Sequence, residues 1–285
     1  MSTSPPPHPL ASTTLESITS SLTSTDLSQP DTLLTFPRSF PKSASHLVIL
    51  DSSFNPPTIA HAALATSGIS FLSTTKPSSP RLPTPKEQMA LLLLYSAKNA
   101  DKQSAPLKPE ERLFLAAKMG VHLARTPEVE GAEVAVGLCT EPLFLRKLEL
   151  LKSYYDSKGI TRYTFLVGWD TLIRIFNPVY YNQPLKEALA PFFEGGGEFL
   201  CFLRGELSEV DRATWPARIR EAGGREGVFV ERLPGREEEV GRLERVSSTG
   251  VREAVGRGEW GRVREWCVAE VAEVVEERFQ EAWKS

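Results

Sequence analysis

HLVILDSSFNPPTIAHAALA, residues 46 to 65, decides the fold. Its opening HLVIL is a short apolar, β-branched run, the pattern of a buried strand. Asp51 ends that run, and SSFNPPT follows with small hydroxyl residues, an Asn suited to local backbone hydrogen bonding, and two prolines that stiffen the turn. The segment reads as strand, loop, helix. In an open α/β sheet ligands sit beyond the carboxyl ends of strands, where a helix N-terminus presents unpaired N–H groups to phosphate. Ser52 to Thr58 occupies that turn, and His61 stands one turn into the helix, facing the same anion. A histidine there can donate a ring N–H to a phosphate oxygen, and when protonated it adds charge that matches the transition state. One histidine at helical spacing says little alone, so the weight rests on the preceding turn.

Outward from this unit, compact apolar runs recur at MALLLLYS, EVAVGL, YTFLVG, EFLCFL and GVFVERL. Helical patterns lie between several of them, including PEERLFLAAKMGVHLA and EPLFLRKLELLKSYY. Alternation of this kind predicts an α/β fold, a mostly parallel sheet with helices on both faces. The end of the chain, from EWGRVREWCVAEV to Trp283, has helical periodicity and predicts one or two helices packed on the core. Residues 73–87 and the EGGGE run at 194–198 read as surface loops. Residues 1–45, rich in Ser, Thr and Pro, read as an N-terminal extension to a domain spanning 46–285. Leu15, Ile18 and Leu22 recur in it at helical spacing and allow a short docked helix.

A second constellation, RVSSTGVREAV, begins about 190 residues after the first. Ser247 or Ser248 can cap a helix there, with Arg252 near its start. Hydroxyls, free N–H groups and a guanidinium fork suit a polyphosphate. In isolation this is also how an ordinary capped helix with a solvated arginine reads. The pair of motifs is the more specific signal.

SSFNPPTIAH and VSSTGVR together resemble the two signatures of the nucleotidylyltransferases, and among these the nicotinamide mononucleotide adenylyltransferases and a fungal group similar to them. The resemblance runs from about His46 to Val255. GWD at Gly168 to Asp170 looks like the family's Gly-x-Asp, FLRG at Phe202 to Gly205 is similar to a later strand end, and Glu111-Arg112 resembles a helix-borne His-Arg pair. What the resemblance implies is a Rossmann-like, doubly wound sheet and transfer of AMP from ATP to a mononucleotide, nicotinamide mononucleotide by analogy, with release of pyrophosphate. It implies catalytic roles for His61 and Arg252. Ser52, Ser53, Phe54, Asn55, Thr58, Gly168, Asp170, Ser247, Ser248 and Thr249 would bind ATP, Asp170 through its ribose. Arg112, Glu141 and Trp169 would face the acceptor. Mg²⁺ would be held mainly by phosphates and water, so no protein metal ligands are expected. The chain departs from the family at Ser52, where a glycine is usual, and at Thr140, where a stacking tryptophan precedes the glutamate.

The remaining expectations are set by bulk properties. A balance of 33 basic against 36 acidic residues, net -3, provides no field for nucleic acid or an anionic membrane. No apolar run approaches the ~20 residues of a membrane span. The first residues fit neither a secretory signal nor a mitochondrial presequence, which predicts a cytoplasmic or nuclear protein. Cys139, Cys201 and Cys267 lie too far apart in sequence for a zinc or redox motif. Two other functions stay open at this level: an ATPase whose acceptor site has drifted, and a non-catalytic nucleotide-binding module that recruits protein partners through residues 1–45.

Overall fold

The computed structural model describes residues 8–74, 82–97, 107–204, 206–224 and 227–283. Among these residues seven strands, β1 (Leu33–Phe36), β2 (His46–Asp51), β3 (Met89–Ser96), β4 (Glu133–Cys139), β5 (Arg162–Gly168), β6 (Gly197–Leu203) and β7 (Val228–Arg232), form one sheet in the order β1-β4-β3-β2-β5-β6-β7. All neighbours pair in parallel except β1, which runs antiparallel to β4. The helices are α1 (Leu15–Thr23), α2 (Ile59–Ser73), α3 (Pro109–Ala124), α4 (Phe144–Tyr155), α5 (Trp169–Ile175), α6 (Leu185–Glu194), α7 (Glu209–Glu221), α8 (Glu237–Arg245), α9 (Ser248–Gly256), α10 (Trp260–Trp266) and α11 (Ala269–Arg278).

Period-two alternation sorts the strands' side chains between two cores. Val48, Leu50, Leu91 and Leu93 face the core that holds α2, α3 and the C-terminal helices, while Leu47, Ile49, Leu92 and Leu94 face α4, α5 and α6. Burial on both faces explains why β3 is apolar at nearly every position. From β2 the chain winds outward to β4, then crosses back to β5 on the other side of β2. This reversal of strand order is the topological switch point, and it opens a crevice at the carboxyl ends of β2 and β5.

Residues before His46 do more than the composition predicts. Leu10, Ile18 and Leu22 are buried in the first core, and β1 adds an edge strand with Leu33 opposite Cys139. The loop expected at 73–87 falls partly outside the described residues, at 75–81, and so does Gly205 of the FLRG match. The EGGGE turn joins α6 to β6, with Gly196 in the left-handed region at φ +84. No helix among the described residues is long and apolar enough to cross a membrane.

Candidate active site

The loop after β2 is built around buried groups. Phe54 has φ 43, a left-handed backbone uncommon outside glycine, and its ring is fully buried 5.6 Å from the His61 ring. Thr58 caps α2, and its N–H donates to His61 Nδ1 at 3.0 Å, a histidine version of the reciprocal cap usually made by Glu or Gln. Because Nδ1 accepts that bond, the neutral ring carries its hydrogen on Nε2. Nε2 lies 2.9 Å from Ser52 Oγ, which accepts from it and turns the serine's own hydrogen outward. The Ser52 N–H is committed to the Leu94 carbonyl at 3.0 Å. Ser52, at the position where glycine is usual in the family it resembles, therefore meets His61 through its side chain.

The late motif is bolted to this loop. Ser247 Oγ accepts from Gly250 N–H at 3.0 Å and caps α9. Ser248 Oγ donates to the Pro56 carbonyl at 2.8 Å, and Arg252 Nη1 donates to the Asn55 carbonyl at 2.7 Å. Arg252 Nη2 donates to Thr249 Oγ1 at 2.9 Å. These contacts place two helix N-termini, α2 and α9, beside one space. The Ser248 hydroxyl hydrogen is spent on Pro56 and the Gly250 N–H on the cap, so at this position the available donors are the Ser248 and Thr249 N–H groups, which have no intrahelical carbonyl.

That space is a cavity of about 960 Å³. Ser52, Ser53, Asn55, Thr58 and His61 line it, as do Gly168 and Asp170 at the β5–α5 junction. Ser247, Ser248, Thr249, Arg252 and Arg112 complete the set brought together from the sequence reading. Lys108, Arg174 and Arg204 also line it; sequence reasoning missed the first two and read Arg204 only within FLRG. Arg204 directly follows β6 and Arg174 lies one turn after Asp170, so strand ends and helical spacing were the signals. The cations outnumber the acids there, although the whole chain is slightly acidic. Burial, and then the charge of Arg112, hold the Arg252 guanidinium below its usual range, with Glu253 opposing. Arg112 itself stacks over the Tyr95 ring at 5.3 Å. Asn55 Oδ1 is buried with no partner among the described residues. No group of three or more His, Cys, Asp or Glu among the described residues could hold a metal ion.

Phe54, Trp169 and Glu141 are not among the side chains that line the cavity. The Phe54 ring is buried, which leaves only its backbone for the site. Trp169 lines neither this cavity nor the smaller one beside it, because its ring packs against Trp215 at 4.8 Å. Glu141 is also outside both: its Oε1 accepts from Asp31 N–H at 3.2 Å, while Thr140 Oγ1 accepts from Thr32 N–H at 3.2 Å. Where the resemblance predicts an aromatic platform, this chain instead anchors the segment leading into β1.

The smaller cavity, of about 220 Å³, adjoins the first and shares Asp51, Ser52, Ser53, Ser96, Thr171 and Arg174 with it. Pro142, Leu143, Phe144, Tyr180 and Tyr181 supply apolar and aromatic wall, and Lys147 pairs with Asp51 at the junction. Lys147 was also missed, since it belongs to no recognised pattern, and Asp51 was read only as the end of its strand.

No family model matches the sequence. A Schizosaccharomyces pombe protein that bears the provisional name nicotinamide mononucleotide adenylyltransferase is 30% identical over 238 residues, covering 80% of this chain and 83% of that protein. The structure resembles Plasmodium falciparum nicotinic acid mononucleotide adenylyltransferase complexed with APC, with a TM-score of 0.52 and 12% identity, over 85% of this chain and 98% of that one.

Proposed function

Because the chain belongs to the nicotinamide mononucleotide adenylyltransferase family of nucleotidyltransferases, we propose that it transfers AMP from MgATP to a pyridine mononucleotide, making a dinucleotide and pyrophosphate. The observation that carries this reading is the direct joining of its two phosphate motifs, Arg252 to Asn55 and Ser248 to Pro56, across one cation-rich cavity. Polyphosphate lies between the N-termini of α2 and α9, with the His61–Ser52 relay on one side and Arg252 on the other. Asp170 takes the ribose. The acceptor enters from the smaller cavity, so its phosphate oxygen meets the α-phosphorus near Ser52, Ser53 and Arg174. A bond forms from that oxygen to the α-phosphorus as the bond to the bridging oxygen of pyrophosphate breaks. No protein nucleophile is needed, and the rate comes from alignment of two anions and from donors aimed at developing charge. Mg²⁺ would be held mainly by the substrate's phosphates and water, since the lining offers chiefly hydroxyls, N–H groups and guanidiniums, with Asp51 paired to Lys147 and Asp170 turned to the ribose.

Incubation of the full chain with MgATP and nicotinamide mononucleotide, its acid analogue or no acceptor, followed by mass analysis, tests this directly. Dinucleotide and pyrophosphate in equal amounts are expected. ADP and phosphate irrespective of acceptor would replace the reading with ATP hydrolysis.

A further inference from the structure

We propose that the Asp51–Lys147 pair sets the acceptor's charge, so that the smaller cavity takes a pyridine base bearing a neutral amide in preference to one bearing a carboxylate. This rests on the adenylyl-transfer reading above and goes beyond it, since the two relatives carry names that differ in this group.

The pair is built into the fold. Asp51 closes β2, and Lys147 lies one turn into α4, so the ion pair ties the central strand to the helix that walls the cavity. The side chains are 4% exposed for Lys147 and 11% for Asp51. Asp51 Oδ1 also accepts from Ser96 Oγ at 3.0 Å, and the Lys147 ammonium stands 4.7 Å from the Phe144 ring centroid. Phe144 is in turn held edge-on by Phe165 and Phe199, each at 5.4 Å. Each charge is thus held by burial and by a contact beyond the pair itself.

A buried pair of this kind is dipolar but carries no net charge. An amide can meet it with an N–H toward Asp51 and a carbonyl toward Lys147, and it brings no charge to desolvate. A carboxylate must approach Asp51 and compete for an ammonium that is already neutralised. Arg174, shared by the two cavities, sits where the acceptor's phosphate must arrive, and its Nε donates to the Asp170 carbonyl at 3.1 Å. It is common to both acceptors.

Equilibrium binding of nicotinamide mononucleotide and of its acid analogue, each measured at pH 8 with Mg²⁺ and a non-hydrolysable ATP analogue, tests the assignment. The wild-type chain binds the amide more tightly. Asp51→Asn leaves Lys147 uncompensated and moves the amide-to-acid affinity ratio about tenfold or more toward the acid. Lys147→Met leaves Asp51 alone and moves it the other way. Shifts of opposite sign are not produced by general loosening, and thermal unfolding identifies a variant that has failed to fold, in which case the other decides. Ratios that stay put or move together in folded variants, a wild-type preference for the acid, or no binding of either mononucleotide overturns the inference. Predicted ratios with no dinucleotide in the product assay would sink the adenylyl-transfer reading and leave the charge assignment standing. Dinucleotide with unmoved ratios would do the reverse.

Discussion

His61 has two jobs on opposite sides of one ring. Nδ1 accepts the Thr58 N–H and closes the cap of α2, while the Nε2 hydrogen reaches Ser52 and the cavity. The jobs separate by substitution. His61→Ala loses both, and the turnover number is expected to fall by about 10²–10³, the usual cost of deleting a preorganised donor. His61→Asn keeps an acceptor near the Nδ1 position, so it should recover much of the ~1 kcal/mol that a lost cap costs, without recovering the rate. Steady-state kinetics and thermal unfolding of the two variants check this; an Asn variant that recovers turnover would place the chemistry elsewhere. The cap was hidden in sequence because histidine is not a usual capping partner. The position of His61 after a proline-stiffened turn was legible, because three-residue spacing on a helix is a local property.

At the scale of elements, the segment before β2 shows how composition misleads. Ser, Thr and Pro dominate it, yet Leu10, Ile18, Leu22, Leu34 and Phe36 join one core, and Leu33, Phe40 and Ala44 the other. Burial of each large apolar side chain contributes about 1.5–3 kcal/mol, and several together rival the ~5–15 kcal/mol net stability of a typical domain. Removal of residues 1–45 also strips β1 from β4 and bares a sheet edge. The truncated chain is therefore expected to aggregate or to unfold at a markedly lower temperature, measurable by light scattering and calorimetry. A truncation that remains folded and binds nucleotide would return this segment to the role of a recruiting arm. β1 escaped notice because four residues buried throughout have no alternation to read, and their pairing with β4 is through backbone. β3, by contrast, was legible over its full length, since a run of seven apolar residues closed by Ser96 admits few other structures.

Across the whole molecule, burial governs the three thiols. Cys139, Cys201 and Cys267 are unpaired and buried in the two cores, and burial pushes their values from the usual 9.0 up to about 11, about 12 and about 12. A folded-state value above the unfolded one means that the native chain holds the proton longer. That contribution to stability is complete below pH 9.0 and is lost as pH rises through about 11 and about 12. The native chain should resist a thiol reagent at pH 8 and react at three sites once denatured, and its denaturation midpoint should fall above pH 9.0; rapid labelling of the folded protein would contradict this. The sequence by itself determined the alternation of strands and helices and the two loop-to-helix motifs, because hydrophobic period, turn chemistry and capping act over a few neighbouring residues. Tertiary structure alone decided that Arg252 would reach Asn55 across 197 positions and Lys147 would meet Asp51 across 96, and that Trp169 and Glu141 would turn away from the cavities. Those contacts follow from the order of strands in the sheet, which reverses at β2, and a local pattern carries no record of which distant strand lies beside it.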